Sequence, residues 1–240
     1  VHETGAIEAT GHKCIACPAE NGKLTPAAVR AACAAHTDEH MVRPRMIYVS
    51  QTTEIGTLYT LAELEALRAV CDELGLYFYL DGARLASGLA AGGPSLTDLG
   101  RLCDAFYIGG TKNGALFGEA LVILNPALKP DFRYNIKQRG GMLAKGWLLG
   151  VQFEQLFQGN RYVELAAHAN ALALKLKEGI AALGYTFLCD SVTNQQFPIL
   201  PDEVVAALGQ DFGFEFNCKP DAAHTCIRLV TSWATPEANV

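Results

Sequence analysis

The sequence predicts an α/β chain in which a large domain, built on a partly parallel sheet, precedes a smaller α+β domain. Three observations predict it. Short apolar runs rich in aromatic and β-branched residues, at 46–49, 76–80 and 105–108, alternate with segments of helical period. Strand, helix, strand in that order is a parallel crossover unit. Beyond Gly159 the pattern changes to short strands mixed with helices, which suits a small α+β domain. The predicted units are therefore 1–158 and 159–240.

Each element has a local reason. Thr25 offers a capping hydroxyl and Pro26 a preset first turn, so a helix starts there and runs to about residue 35. Residues 46–49 read as a buried strand, and 50–59 as a polar loop at its C-terminal end. Thr60 and Glu63 form a capping box. Leu61, Leu64, Leu67, Cys71 and Leu74 then recur at helical spacing until Gly75. Residues 76–80 are a second buried strand, ending in Asp81-Gly82-Ala83-Arg84. A run of small residues, 86–93, and a short helix at 96–102 lead to the third strand. Ala120 follows too soon for a crossover, so the strand at 120–124 should run antiparallel. A glycine-rich turn at 138–141 precedes a long apolar helix at 142–157, which Gly159-Asn160 breaks. A second long helix spans 161–183 with Leu165, Leu172, Leu176 and Ile180 on one face. Short strands at 185–188, 195–200, 214–217 and 226–231, and a helix at 202–208, complete the chain.

Composition narrows the function. The 240 residues are 50% hydrophobic with a net charge of −6, enough for a real core. Mild acidity without a basic run argues against nucleic acid. The apolar stretches are cut by charges, as Glu119 cuts 115–124, so no window approaches a membrane span. The opening Val1-His2-Glu3-Thr4 does not read as a secretory signal. The eight cysteines are scattered and read as reduced, cytosolic thiols. Cys14 and Cys17 with His12 lack the second ligand pair of a zinc ribbon, so no metal is expected.

One lysine stands out. Lys112 lies just past the 105–108 strand in Gly109-Gly110-Thr111-Lys112-Asn113-Gly114. The glycine pair permits a sharp turn and close approach to a ligand, and α/β proteins bind ligands beyond their strand ends. A half-desolvated amine there becomes a nucleophile toward carbonyl compounds. A surface lysine in a loop is the plain alternative. The 76–80 strand delivers Asp81 to the same edge. An acid and a lysine so placed suit pyridoxal phosphate: the amine holds the aldehyde, and the carboxylate keeps the pyridine nitrogen protonated. Asp81 could equally cap its own turn, and spacing leaves both readings open. Arg228 lies in a strand otherwise apolar on both sides, an odd place for an unpaired charge. Arg139 and Lys145, before a long helix, suit a phosphate or simply water.

The Asp81-Gly82-Ala83-Arg84 segment, the 109–114 loop and Ile227-Arg228-Leu229-Val230-Thr231 occur in that order within a likeness covering nearly the whole chain. They resemble the low-specificity L-threonine aldolase group of the β-eliminating lyase superfamily. The resemblance implies a three-layer α/β/α large domain of pyridoxal phosphate fold type I, the aspartate aminotransferase fold. It implies a cytoplasmic homodimer or homotetramer with active sites shared across an interface. Lys112 would then hold the cofactor and Asp81 its ring nitrogen. His2 would stack on the ring, Thr111 would bond the phosphate or serve as a plain turn hydroxyl, and Gln51 would contact the ring oxygen. Arg84 and Arg228 would clamp the amino acid's α-carboxylate through their planar forks. The implied reaction cleaves the Cα–Cβ bond of a β-hydroxy amino acid, giving glycine and acetaldehyde from threonine.

There is one departure. Thr53 stands about where many members carry a histidine, and threonine is no base at neutral pH, so His2, a water or a phosphate oxygen become the candidates. A first helix, a first strand and a Gly-Thr phosphate loop precede the segment like His2-Glu3-Thr4-Gly5-Ala6 in the family, so the chain reads as a piece cut at both ends. Competing expectations are β-elimination, an incomplete non-catalytic polypeptide, and a structural or partner-binding α/β module.

Overall fold

The structure, a computed structural model, describes residues 3–240. Helix α1 (Pro26–Ala34) opens where predicted, with the Thr25 side chain accepting from Ala28 N–H at 3.3 Å. Strand β1 (Met46–Ser50) follows, then α2 (Leu61–Leu74), which has both bonds of the capping box and ends at Gly75 with φ 66°. Next come β2 (Tyr77–Asp81), α3 (Leu85–Ala90), α4 (Leu96–Leu102), β3 (Ala105–Ile108) and β4 (Ala120–Ile123). These strands form one sheet in the order β1-β2-β3-β4. The first three are parallel and β4 is antiparallel to β3, as its short connection requires.

Helices α5 (Phe132–Gln138), α6 (Trp147–Phe157) and α7 (Arg161–Ala182) lead to the second sheet. That sheet comprises β5 (Thr186–Phe187), β6 (Gln195–Gln196), β7 (Pro198–Pro201), β8 (Glu215–Cys218) and β9 (His224–Val230), with α8 (Asp202–Leu208) between β7 and β8. Its strand order is β5-β7-β9-β6, with β8 on the free side of β9.

Four expectations are corrected. The strands β1 and β2 are not buried on both faces; Ile47, Val49, Phe78 and Leu80 face the core, while Met46 and Tyr48 are exposed. Hydroxyl-bearing aromatics had read as core residues, but tyrosine suits a half-open face. The long apolar helix begins at Trp147, since the chain between Gly141 and Gly146 gives it no cap. The 195–200 strand is two pieces, because Pro198 has no N–H for a continuous ladder. The buried face of α7 is Tyr162, Ala166, Ala169, Asn170, Leu172 and Ala173 rather than a leucine stripe. Its small residues admit α3, itself built from small residues and locked by Ser87 Oγ donating to Asn170 Oδ1 at 2.6 Å.

The core is continuous. Leu64, Leu67, Val70 and Cys71 of α2 have no exposed surface and pack with the inner faces of β1 and β2. Leu156, Tyr162 and Ala166 join the same cluster, so α6 and α7 are seated on the first sheet. Each such side chain is worth about 1.5–3 kcal/mol. This packing fixes the strand ends where the predicted chemistry sits.

Candidate active site

Because β1, β2 and β3 are parallel, their C-terminal ends share one edge, with Ser50 opposite Asp81 in register. The turns after β2 and β3 then touch backbone to backbone. Gly109 N–H donates to Gly82 O at 2.9 Å. A Cβ on Gly82 would lie 1.9 Å from Tyr107 O, and one on Gly109 would lie 2.5 Å from Ala83 O, so both positions need glycine. Asp81 stands one residue before this contact and Lys112 three residues after it.

Lys112 occupies the 3-10 turn Thr111–Asn113, which Gly114 closes at φ 101°. The side chain is exposed rather than half-desolvated, because the turn projects beyond the sheet edge, and it has no ion-pair partner among the described residues. The turn itself is tightly held. Tyr162 Oη donates to Gly109 O at 2.8 Å, and Asn113 Nδ2 donates to Tyr162 O at 2.7 Å. The Thr111 hydroxyl, expected on a phosphate, donates to Glu119 Oε1 at 2.7 Å.

Asp81 Oδ1 accepts from Ala83 N–H at 2.9 Å, so the carboxylate does cap its turn. The Tyr48 hydroxyl also donates to it. Burial pushes the pKa values of Tyr48 and Tyr107 well up, and the nearby Asp81 carboxylate adds to both shifts. Both hydroxyls therefore stay protonated, and that of Tyr48 orients the carboxylate, whose remaining lone pairs leave room for a ring nitrogen.

The Arg84 side chain is half-buried and forms no hydrogen bond or ion pair among the described residues. Burial lowers its pKa, Glu54 opposes that, and the charge of Arg228 lowers it further, so the two arginines share a neighbourhood. Arg228 pairs with the Glu215 carboxylate, its partner in register on β8, yet its Nε is buried without an acceptor. Two guanidiniums with unfilled donors suit a ligand with two anionic oxygens.

Gln51, Thr53 and His2 remain. Gln51 is 1% exposed; its Oε1 accepts from Tyr59 N–H at 3.0 Å and its Nε2 donates to Tyr59 O at 3.1 Å. That amide shapes the 51–59 loop, using one of its N–H donors and one of its oxygen lone pairs. Thr53 is buried with its hydroxyl 2.7 Å from Thr57 Oγ1. His2 lies outside the described residues. Sequence reading missed Tyr48, Tyr107, Glu54, Glu119 and Glu215. A signal existed for Tyr48: Tyr79 and Asp81 share a face by the two-residue period, and Tyr48 is opposite Tyr79 in register.

The residues present fit pyridoxal phosphate by their own chemistry. They offer an amine for the aldehyde, a fixed carboxylate for the ring nitrogen, and an orphaned arginine Nε beside a second arginine for a substrate carboxylate. A concavity of about 510 Å³ between residues 15–20 and α1 is walled mainly by alanines and lies elsewhere.

A sequence model of the β-eliminating lyase family matches residues 1–202. The chain belongs to that family. It is 34% identical to the low specificity L-threonine aldolase of a Pseudomonas species over 99% of the chain, and spans 69% of that protein. It is 36% identical to the Pseudomonas aeruginosa low specificity L-threonine aldolase over 86% of the chain, spanning 61% of that protein. The solved threonine aldolase of Leishmania major is 51% identical with a TM-score of 0.96, covering 99% of this chain and 70% of that one. Tryptophan decarboxylase of Catharanthus roseus, 14% identical, has a TM-score of 0.65 over 90% of this chain and 51% of its own, a likeness of fold alone. The fold is the expected three-layer fold type I.

Proposed function

We propose that the protein is a pyridoxal phosphate-dependent aldehyde-lyase that cleaves the Cα–Cβ bond of threonine-like β-hydroxy amino acids to glycine and an aldehyde. The observation that carries this is the backbone contact between Gly82 and Gly109, which brings the Asp81 and Lys112 turns together, with Arg84, unpaired among the described residues, in the same turn as Asp81 and the half-occupied Arg228 near it. The named activity of the Pseudomonas and Leishmania relatives supports the same reading.

The cofactor would supply an electron-poor ring able to accept the electron pair of the broken bond. The protein's residues supply the rest. Lys112 would hold the cofactor's aldehyde. Asp81, oriented by Tyr48, would hold the proton at the ring nitrogen. Arg84 and Arg228 would bind the α-carboxylate and so orient the substrate. With Thr53 bonded to Thr57, the proton of the β-hydroxyl must go to another group, and His2, a water and a phosphate oxygen are the candidates from sequence.

Two further features belong to this reading. A second copy of the chain would cover the exposed strip of Leu116, Trp147, Leu148 and Val151, which runs from beside the lysine turn along α6. No helix among the described residues is long and apolar enough to cross a membrane, and the unpaired thiols suit a reducing cytoplasm.

The test is direct. Protein mixed with pyridoxal phosphate should show a visible absorbance band that Lys112→Ala abolishes, and should release acetaldehyde from threonine. Release of pyruvate and ammonia instead would identify an eliminase. No band in wild-type protein would defeat the cofactor reading.

A further inference from the structure

The turn carrying Lys112 is held by a carboxylate outside the Gly-Gly-Thr-Lys-Asn-Gly motif. Glu119, at the foot of β4, accepts from Gly110 N–H through Oε2 and from the Thr111 hydroxyl through Oε1. These are the donors that a phosphate would take at a glycine-rich turn. A backbone N–H has one proton to give and a hydroxyl has one, and both are committed to Glu119.

The other anchors of the turn lie on either side of this point. Tyr162 holds Gly109 and, through its carbonyl, Asn113. Among the described residues, only Glu119 restrains side-chain and backbone donors at the two residues immediately before Lys112. Both bonds have an ionised acceptor, the stronger kind. Yet Glu119 is exposed and sits in no salt bridge among the described residues.

We infer that Glu119 is the positioning residue of the cofactor lysine: it fixes Gly110 and Thr111 so that Lys112 leaves the sheet edge in one orientation, and Thr111 serves this clamp rather than the cofactor phosphate. The inference rests on the reading of Lys112 above. It assigns the phosphate to groups other than the lysine turn.

The experiment compares pyridoxal phosphate with pyridoxal, which lacks the phosphate, on the wild type, Thr111→Val, Glu119→Gln and the double variant. Binding is read from the visible band of the lysine-bound form, and the melting temperature of each unloaded protein is measured alongside. Glutamine keeps the size of glutamate but accepts from only one donor and turns its NH2 toward the other. Glu119→Gln should weaken both ligands by the same factor, about tenfold, the scale of one charge-assisted hydrogen bond. Thr111→Val should leave the ratio of the two affinities unchanged. The double variant should be no worse than Glu119→Gln alone, because both changes break one bond.

A ratio that collapses in Thr111→Val would overturn the inference by placing the phosphate on Thr111. So would a Glu119→Gln protein that binds both ligands normally, whether or not its melting temperature falls; a fall would mark a merely structural role. The parent reading fails separately: wild-type protein without a band, or a band that survives Lys112→Ala, would remove it and this inference together.

Discussion

On the proposed reading, substrate recognition turns on two arginines. Arg84 and Arg228 differ in their surroundings: the first has no partner among the described residues, and the second is half-occupied by Glu215. A carboxylate docking here gains parallel bonds from a planar fork, which lysine cannot offer. Arg84→Lys or Arg228→Lys should therefore raise the KM for threonine about tenfold or more, the effect of losing about 1.4 kcal/mol of binding. The band of lysine-bound cofactor should not change, because neither residue touches the aldehyde. Steady-state kinetics with parallel absorbance spectra measure both quantities, and an unchanged KM would remove that arginine from the clamp. At this scale the sequence was informative wherever a residue type was out of place. A lysine after two glycines, an acid at a strand end and an arginine in an apolar strand all signalled themselves. Gln51 did not, because an amide turned inward to close its own loop looks in sequence like one turned toward a ligand. Glu119 and Glu215 did not, because each meets its partner only after two strands have paired.

Elements hold these residues through a few polar nodes, of which Asp104 is the densest. Its carboxylate accepts from Phe78 N–H at 2.7 Å, from Asn125 Nδ2 at 2.6 Å and from Arg68 Nη1 at 2.9 Å. Its carbonyl accepts from Leu124 N–H at 2.9 Å and Asn125 N–H at 3.0 Å. One side chain thus ties α2, the start of β2 and the end of β4 to the entry of β3. Burial pushes the carboxyl's pKa up, but the Phe78 N–H, Asn125 and Arg68 outweigh it, so the value lies below the ordinary one. A depressed folded pKa means that its contribution to stability is present above the unfolded pKa of about 3.9. That contribution is lost as pH falls through the folded value. Asp104→Asn should cost about 2 kcal/mol at neutral pH, where a charged acceptor is lost to a half-buried arginine. It should also flatten the acid dependence below about pH 4. Urea unfolding of both proteins between neutral and acid pH tests this; parallel curves would show that Asp104 does not govern the acid limb. Two helix starts were legible because Thr60 and Thr25 announce themselves. The short helix α5 was not, for it has no capping side chain. The start of α6 was displaced for a similar reason: apolar residues at 142–146 mimic helix without a cap to begin one.

For the whole molecule, the arrangement of layers followed from strand order, but the surfaces did not. Apolar residues in a sequence read as core, and only the packed chain shows which of them face outward. Trp147 is 63% exposed and Leu116 87%, next to Val151 at 43%. Gln152 fastens this strip, accepting from Leu116 N–H at 2.7 Å and donating to Phe117 O at 3.1 Å. A solvent-facing tryptophan beside two aliphatic side chains is the kind of surface the proposed second copy would cover, and the strip begins beside the turn that carries Lys112. A symmetric pair would bury the same strip on both copies and would set the second copy against the catalytic edge of the first. Trp147→Glu should therefore convert the assembly to a smaller species in sedimentation velocity, since a charge would be buried against apolar neighbours. It should also weaken cofactor retention, although residue 147 touches neither Asp81 nor Lys112. If the variant sediments as the wild type does, the strip is not the contact. If it dissociates yet keeps its cofactor band, the lysine turn is complete within one chain and the assembly serves some other end.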